Sequence, residues 1–246
     1  MSLPVHLVPS LDGVRVGSPV TVEGDEAHHA VAVRRLRVGE SVVLTDGRGT
    51  SVVGEVASTG KRVFAVTATT VDTAPAPTPA VTVVQALPKG DRGELAVEVL
   101  TEVGVARVVP WAAARSVAVW KGERAEKSLA RWRATAREAA KQARRSWFPE
   151  VDPLASTDDV VALVGSAALA VVLHEEARLP LAALEVPAEG PLLVVVGPEG
   201  GLTDDEVAAF VAAGATSVRL GDEVLRTSTA GVVAVAALLA RTPRWG

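Results

Sequence analysis

The spacing of apolar residues changes part-way along the chain. Up to about residue 72, apolar and polar residues alternate in short runs, which is typical of strands with one buried and one exposed face. The hexapeptide TDGRGT between two of these runs predicts a hairpin turn, and residues 24–40 carry a helical pattern for which Asp25 is the expected N-cap. We therefore expect a small, mostly β domain with strands at Val14–Val22, Ser41–Leu44, Ser51–Val56 and Arg62–Val71.

After residue 80 the pattern alternates between strands and helices. Strands are expected at Val81–Leu87, Arg107–Pro110, Ala168–Leu173, Leu192–Val196 and Ser217–Leu220. Helices are expected near Glu94–Val103, Ala125–Arg144, Asp204–Ala213 and Thr227–Leu239. This alternation predicts an α/β domain with a largely parallel sheet. The last helix is apolar on nearly all sides, which predicts burial in the core or against another subunit.

A proline-rich segment marks the change of pattern. Its sequence, TAPAPTPA, places three prolines at alternate positions and favours an extended, stiff connector. We expect residues 1–73 to form the small β domain, residues 74–80 the linker and residues 81–246 the α/β domain.

Composition narrows the class of protein. The 246 residues are 48% hydrophobic, enough for a packed core, and include no cysteine, which excludes disulfides, thiolate metal sites and cysteine nucleophiles. No apolar stretch is long enough for a transmembrane helix and the N-terminus has no signal-peptide pattern, so a soluble cytoplasmic protein is expected. His174, followed by Glu175 and Glu176, lacks a second nearby histidine, so no metal site is expected.

The net charge of −4 conceals an uneven distribution. Residues 1–145 carry 20 Lys and Arg against 15 Asp and Glu, whereas residues 146–246 carry 5 against 14. A surface on the first part that meets a polyanion would explain the difference, and a chance distribution of solvated charge is the alternative. The basic stretch Arg131–Arg145 has the same two interpretations, RNA contact or a solvated helix face.

The stretch LLVVVGPEGGLTDDEV, residues 192–207, joins an apolar run to an acidic helix start through a glycine-rich loop. Leu192–Val196 has the character of a strand buried on both faces, and Thr203 with Glu206 forms a capping-box pattern. The loop has neither a P-loop ending nor a dinucleotide-binding spacing, and its acids would repel phosphate. It suits a neutral or cationic ligand held by backbone groups, and a plain tight turn is the alternative.

Two further loops follow expected strands. They are VLHEEA at 172–177 and LGDEVLRTSTA at 220–230. Ligands of open α/β sheets lie outside the carboxyl ends of the strands, so the three loops together are expected to surround one ligand.

The C-terminal motifs resemble those of a known family. VVVGPEGGLTDDEV followed by LGDEVLRTSTA strongly resembles the RsmE family of small-subunit rRNA (uridine-N3) methyltransferases, which belongs to the SPOUT superfamily. AHHAVAVRRLRVGE, TDGRG, EVLTEVGV, RSVAVW and KQARRSWFPEV extend the resemblance over nearly the whole chain. Leu202 and Ser228 stand where the family commonly has Phe and Glu, and the Arg-Phe start common near the family's N-terminus is not obvious here.

The resemblance implies a PUA-like β-barrel that binds RNA, followed by a SPOUT α/β domain with a deep trefoil knot. It further implies S-adenosylmethionine bound inside the knot, a homodimer, and methylation of N3 of a specific uridine in the 16S rRNA of the small ribosomal subunit. A SPOUT methyltransferase with a different RNA target and a non-catalytic RNA-binding factor are the alternatives.

The resemblance also implies particular site residues. The glycines of the GPEGG loop would let backbone groups approach the adenosine, and Leu220, Val224 and Leu225 would line the adenine. No catalytic residue is assigned, and the candidates are Arg226 and Glu199. RNA contacts are expected from His28, His29, Arg34, Arg35, Arg37 and Arg145, with one of the two histidines instead packed in the small domain. The implied cofactor residues are Leu173, His174, Glu175, Val196, Gly197, Pro198, Glu199, Gly200, Gly201, Leu220, Gly221, Val224, Leu225, Arg226, Thr227 and Thr229.

Overall fold

The computed structural model describes residues 3–246 and divides them into two units, both of which are discontinuous in sequence. The first unit contains the residues up to Ala76 together with Lys141–Phe148. The second contains Pro77–Ala140 and Pro149–Gly246. The boundary after Ala76 lies inside the proline-rich segment. Nothing in the sequence pattern indicated that residues 141–148, here called the returning segment, belong to the first unit.

The first unit is built on a five-stranded sheet in the order β1-β3-β4-β5-β2. All neighbouring strands are antiparallel except β1 and β3, which are parallel. Alternate residues, among them Val42, Leu44, Phe64 and Val66, face a common core because successive side chains of a strand point to opposite faces. The strands are β1 (Val5–Leu7), β2 (Pro19–Glu23), β3 (Ser41–Thr45), β4 (Thr50–Thr59) and β5 (Val63–Thr73).

Several expectations for this unit need correction. β1 was not expected, and the strand expected from Val14 begins only at Pro19. The helical stretch is shorter than expected: α1 (Gly24–His28) continues as a π-helical turn, His29–Val33. Asp25 is not the N-cap, because the cap position is Glu23, whose side chain makes no capping hydrogen bond, and the Asp25 carboxylate pairs with Arg62.

Residues 146–148 pair with the turn between β3 and β4. The amide of Gly49 donates to the carbonyl of Ser146 at 2.9 Å, and the amide of Phe148 donates to the carbonyl of Gly47 at 2.9 Å. The indole nitrogen of Trp147 donates to the carbonyl of Ala74 at 2.9 Å. A Cβ at position 49 would lie 2.7 Å from that carbonyl oxygen and 2.8 Å from the Trp147 ring, so the turn requires glycine there.

The second unit is built on a six-stranded, entirely parallel sheet in the order β11-β9-β10-β6-β7-β8. The predicted parallel α/β arrangement is therefore present. The two-residue β8 at the sheet edge is too short to leave a pattern in the sequence. The strands are β6 (Val81–Ala86), β7 (Arg107–Trp111), β8 (Glu150–Val151), β9 (Leu169–Leu173), β10 (Leu192–Val196) and β11 (Thr216–Val218).

Helices cover both faces of this sheet. Leu192, Val194 and Val196 of β10 pack into one core with residues of α2 and α6, whereas Leu193 and Val195 pack into a second core with residues of α4 and α5. This confirms that β10 is buried on both faces, as its unbroken apolar run indicated. The helices are α2 (Arg92–Glu102), α3 (Glu123–Gln142), α4 (Thr157–Gly165), α5 (Asp204–Ala212) and α6 (Thr227–Leu239), with a 3-10 turn at Leu181–Ala183.

Two of these helices show what the pattern captured and what it missed. α4 was not expected, although Ser156 and Asp159 form a complete capping box at its start. α6 buries most of its apolar residues, yet Val233 is 43% exposed and Ala237 is also exposed. Among residues 3–246, no helix combines the length and the apolar character needed to cross a membrane.

Candidate active site

The loops after β9, β10 and β11 surround one cavity. These strands are neighbours in the sheet and run in the same direction, so their carboxyl ends lie along one edge. The cavity has a volume of about 580 Å³, within the range of small-molecule sites. Leu173 and His174 line it from the first loop, residues 197–201 from the second, and residues 219–227 from the third. The structure therefore brings together the three loops that the sequence singled out.

Carboxylates outnumber free cations on this wall. Glu175, Glu176, Glu199, Asp204, Asp222 and Glu223 line the cavity with four arginines. Arg219 is paired with Asp222 at 3.0 Å, and Arg115 donates to the carbonyl of Leu202 at 3.0 Å. The net charge of the cavity wall is therefore negative, which favours binding of a cationic group and disfavours binding of phosphate.

A buried hydrogen-bond chain ties three elements together beneath the cavity. The hydroxyl of Thr227, at the start of α6, donates to the carbonyl of Gly197 at 2.7 Å. The same hydroxyl accepts from the side-chain amide of Gln85, which is completely buried in β6, at 3.0 Å. The chain fixes the loops after β10 and β11 to the centre of the sheet. Gln85 was missed, although a single amide in an otherwise apolar strand is a signal that sequence reading could use.

Packing within the unit gives one reason for the glycines of the GPEGG loop, and their expected role in letting backbone groups approach a ligand stays a prediction. A Cβ at Gly200 would lie 3.0 Å from the carbonyl oxygen of Arg115, and one at Gly197 would lie 3.0 Å from Cγ of Leu202. Gly201 has a positive φ of 73°, which favours glycine. The loop is therefore shaped by its own neighbours, and the cavity lies beside it.

Two glutamates hold neighbouring loops against this one. Glu199 accepts a hydrogen bond from the amide of Lys89, in the loop after β6, at 3.1 Å. Glu206 is buried and accepts from the amide of Ala114, in the loop after β7, at 2.8 Å. Glu206 also completes the predicted capping box with Thr203. The loops after five strands thus meet at one edge of the sheet.

Arg226 occupies the N-cap position of α6 and its side chain is exposed at the cavity. Its carbonyl accepts the amides of Thr229 and Ala230, and it also accepts the hydroxyl of Thr229. Among residues 3–246, no hydrogen bond or ion pair involves the Arg226 guanidinium. The guanidinium is therefore available to a ligand or substrate.

Comparison with known proteins places this geometry in a family. A family model described as an RNA methyltransferase domain matches residues 74–239, and one described as an RNA methyltransferase PUA domain matches residues 22–67. The ribosomal RNA small subunit methyltransferase E of Mycobacterium bovis is 47% identical over 236 residues, covering 93% of this chain and 89% of that protein. The chain belongs to the ribosomal RNA small subunit methyltransferase E family. The Bacillus subtilis member is 31% identical and covers 90% of this chain and 90% of its own.

Solved structures of the family agree with the fold. The Neisseria gonorrhoeae ribosomal RNA small subunit methyltransferase E, in a crystal structure bound to S-adenosyl methionine, superposes with a TM-score of 0.87 at 27% identity. The match covers 97% of this chain and 98% of that one. The predicted class, an rRNA methyltransferase with an α/β unit and a PUA-like β unit, is confirmed.

The residues expected at the family's cofactor site converge in this chain. All of them line the cavity except Thr229, which lies one turn into α6. Arg92, from the start of α2, also lines the wall and was missed, because α2 is distant in sequence from the three loops. Whether these residues bind the cofactor stays a prediction. Among residues 3–246, no group of His, Asp and Glu side chains is arranged to hold a metal ion.

The residues expected to contact RNA in this family lie mainly on the surface of the first unit. Arg34, Arg35 and Arg37 are exposed, and so are both His28 and His29. The expectation that one of these histidines packs in the small domain is wrong. The packed histidine is His6, which is 4% exposed and lies edge-on to Phe64. Arg145 is half-buried in the returning segment.

The basic stretch at the end of α3 has several internal partners. Arg131 pairs with Glu94 at 3.3 Å, and Arg133 donates to the carbonyl of Val151 at 3.0 Å. Lys141 lies in the first unit, where its side chain is 9% exposed and its Nζ is 2.9 Å from Oε1 of Glu26. These cations stabilise the fold, so the stretch is not simply a solvated face.

Proposed function

We propose that this enzyme transfers the methyl group of S-adenosylmethionine to N3 of a specific uridine in the 16S rRNA of the small ribosomal subunit. The observation that carries the proposal is the cavity of about 580 Å³ at three neighbouring strand ends, in a chain of the ribosomal RNA small subunit methyltransferase E family. The cytoplasmic location expected from the sequence belongs to the same proposal.

The residues of the cavity fit this cofactor. Bound there, S-adenosylmethionine would supply an electrophilic methyl group on a positively charged sulfur. The negative balance of the wall suits that charge, and Leu220, Val224 and Leu225 provide apolar surface for a flat adenine. Val224 is 76% exposed, so contact with a ligand would remove apolar surface from water.

The uracil N3 proton must be lost during the reaction, and one of the two candidate residues suits that role. A guanidinium stays protonated in proteins and cannot accept a proton. The role that remains for Arg226 is to place a positive charge at the site. Glu199 has a carboxylate at the cavity wall with one oxygen held by the Lys89 amide. We assign Glu199 as the proton acceptor, because a general base must lie within hydrogen-bond reach of the proton it takes.

The first unit is proposed to bind the rRNA. Arg34, Arg35 and Arg37 form an exposed basic turn, with His28 and His29 nearby in sequence and Arg145 on the returning segment. Phosphate contacts dominate nucleic-acid affinity and weaken as salt rises. Replacing the three turn arginines by Ala should reduce RNA affinity and lower the slope of log affinity against log salt by about 2, with cofactor affinity unchanged. Superimposable salt titrations would remove these arginines from the interface.

The enzyme is proposed to act as a homodimer. Val233 and Ala237 lie one helical turn apart on the exposed side of α6, and a second copy would cover them. Light scattering at micromolar concentration checks this, and an active monomer would contradict it. The trefoil knot implied by the family resemblance also stays a prediction.

Mass spectrometry of digested rRNA tests the reaction itself. Purified enzyme, S-adenosylmethionine and undermodified small-subunit RNA should produce 3-methyluridine. A 2′-O-methyl product or another methylated base would show that the target differs. Calorimetry should show one cofactor site per chain, and a protein that binds RNA without binding S-adenosylmethionine or S-adenosylhomocysteine would be a non-catalytic factor.

A further inference from the structure

A second cavity opens beside the first one. Its volume is about 700 Å³. The wall consists of the turn at residues 89–92, which leads into α2, together with Leu95, Val117 and Glu199. The resemblance assigned no role to this turn or to the start of α2.

Two residues belong to the walls of both cavities. Among residues 3–246, only Arg92 and Glu199 line the first and the second cavity. Arg92 is the first residue of α2, Glu199 lies in the loop after β10, and the two form no ion pair with each other. A group that reaches from one cavity into the other therefore passes a guanidinium and a carboxylate.

The second cavity combines apolar surface with hydrogen-bonding groups. Leu95 is 44% exposed and Val117 is 63% exposed, and both offer aliphatic contact to a flat ring. Lys89 and Arg92 supply positive charge, and Asp91 and Glu199 supply negative charge. A neutral heterocycle with polar edges matches this wall better than a phosphate group does.

We propose that the second cavity holds the acceptor uracil, and that Arg92 donates hydrogen bonds to a uracil carbonyl oxygen next to N3. This inference rests on the proposed function. As the N3–H bond breaks, negative charge spreads to the neighbouring carbonyl oxygens. The planar guanidinium presents fixed donors to that charge, and donors aligned with developing charge lower the barrier.

The atoms and charges of the step balance. Glu199 takes the N3 proton, the N3 electron pair forms a bond to the methyl carbon, and the carbon–sulfur bond breaks with its electron pair left on sulfur. The products are 3-methyluridine, the neutral thioether and a protonated Glu199, which returns its proton to water. Arg92 keeps its proton throughout.

Arg92→Gln tests the role of the guanidinium. It removes the charge and keeps a polar, though shorter, side chain. The turnover of rRNA should fall about 100-fold, as for loss of one oxyanion donor, while the dissociation constant of S-adenosylmethionine changes by less than about threefold. The difference in turnover between Arg92→Gln and the wild type should shrink at high pH, because solvent hydroxide then helps to ionise the uracil. Arg124→Gln, an exposed arginine of α3 outside both cavities and outside the basic stretch Arg131–Arg145, is the matched control and should leave turnover unchanged.

Val117→Trp tests the location of the uracil. The larger side chain would fill the second cavity from an exposed position, so rRNA turnover should fall and cofactor affinity should persist. Circular dichroism and light scattering of the same sample establish that the variant is folded and in the wild-type oligomeric state. A change of oligomeric state in place of lost turnover would assign the cavity to contact between copies and overturn the proposal.

Product analysis keeps this inference separate from the proposed function. Wild-type enzyme that methylates an atom other than uridine N3 contradicts the proposed function whatever the variants do. If the wild type forms 3-methyluridine while Arg92→Gln retains wild-type turnover and pH dependence, the role of Arg92 is wrong and the function stands.

Discussion

The carboxylates of Glu26 in the first unit and Glu199 in the second both accept hydrogen bonds, but their surroundings differ. The Glu26 side chain is 19% exposed and contacts His6 at 3.0 Å and Lys141 at 2.9 Å. Burial alone would raise its pKa, but hydrogen bonds from His6 and Lys141 and the Lys141 charge outweigh burial and lower the pKa to about 2. Glu199 is exposed at two cavities and, among residues 3–246, forms no ion pair.

The difference separates a structural carboxylate from one available for chemistry. The charge of Glu26 is matched by its partners, and it connects β1, α1 and the returning segment within one unit. Glu199 is oriented by a single backbone amide and faces open volume. Glu26 is held between His6 and Lys141 and lines neither cavity, whereas Glu199 lines both and is placed to take a proton from a bound group.

Glu199→Gln should have the largest effect. The amide oxygen can still accept from Lys89, so the loop stays in place while the proton acceptor is lost. Turnover of rRNA should fall by about 100-fold or more, with the unfolding free energy within about 0.5 kcal/mol of wild type. Glu189→Gln, an exposed carboxylate outside both cavities, is the control. Full activity of Glu199→Gln would remove Glu199 from the mechanism.

Glu26→Gln should act on stability and leave chemistry intact. The change removes the carboxylate that neutralises Lys141, and the pKa of about 2 corresponds to a loss of about 3 kcal/mol at neutral pH. Urea unfolding followed by circular dichroism measures this loss. Wild-type stability of this variant would mean that the ion pair contributes little.

The same glutamate predicts an acid dependence. Its pKa is lower in the folded protein than the ordinary value of 4.5, so its stabilisation is complete above pH 4.5. The stabilisation is lost as pH falls from 4.5 towards 2. Glu26→Gln should flatten this part of the stability curve, and a wild-type slope in the variant would assign the acid dependence to other groups.

Gly200→Ala should have a smaller effect. The added Cβ would lie 3.0 Å from the Arg115 carbonyl oxygen, so the loop that carries Glu199 must shift by a few tenths of an ångström. We expect a loss of about 1 kcal/mol in unfolding free energy and weaker cofactor binding by calorimetry. Gly221→Ala is the control for stability, because its Cβ meets only Glu223 at 3.6 Å. Equal stability of the two variants would mean that the contact with Arg115 is easily relieved.

The local pattern of the sequence was sufficient to predict parts of the fold and of the candidate site. The apolar run of β10, the capping box of Thr203 and Glu206, and the convergence of three loops were all predictable, because each depends on residues close in sequence or on a general rule for parallel sheets. The contacts of Gln85 with Thr227 and of Glu26 with Lys141 were not. Each joins residues more than a hundred positions apart, and a single sequence carries no periodic signal for such pairs.

The discontinuity of the first unit has a consequence for synthesis on the ribosome. The strands of that unit are complete once Thr73 has been made, but Trp147 and the buried Lys141 arrive roughly 70 residues later. At about 5–20 residues per second this is a delay of several seconds. During that time the turn at Gly49 lacks its hydrogen bond to Ser146, and the carboxylate of Glu26 lacks its contact with Lys141. The first unit of a nascent chain therefore reaches its final form only after part of the second unit has been translated.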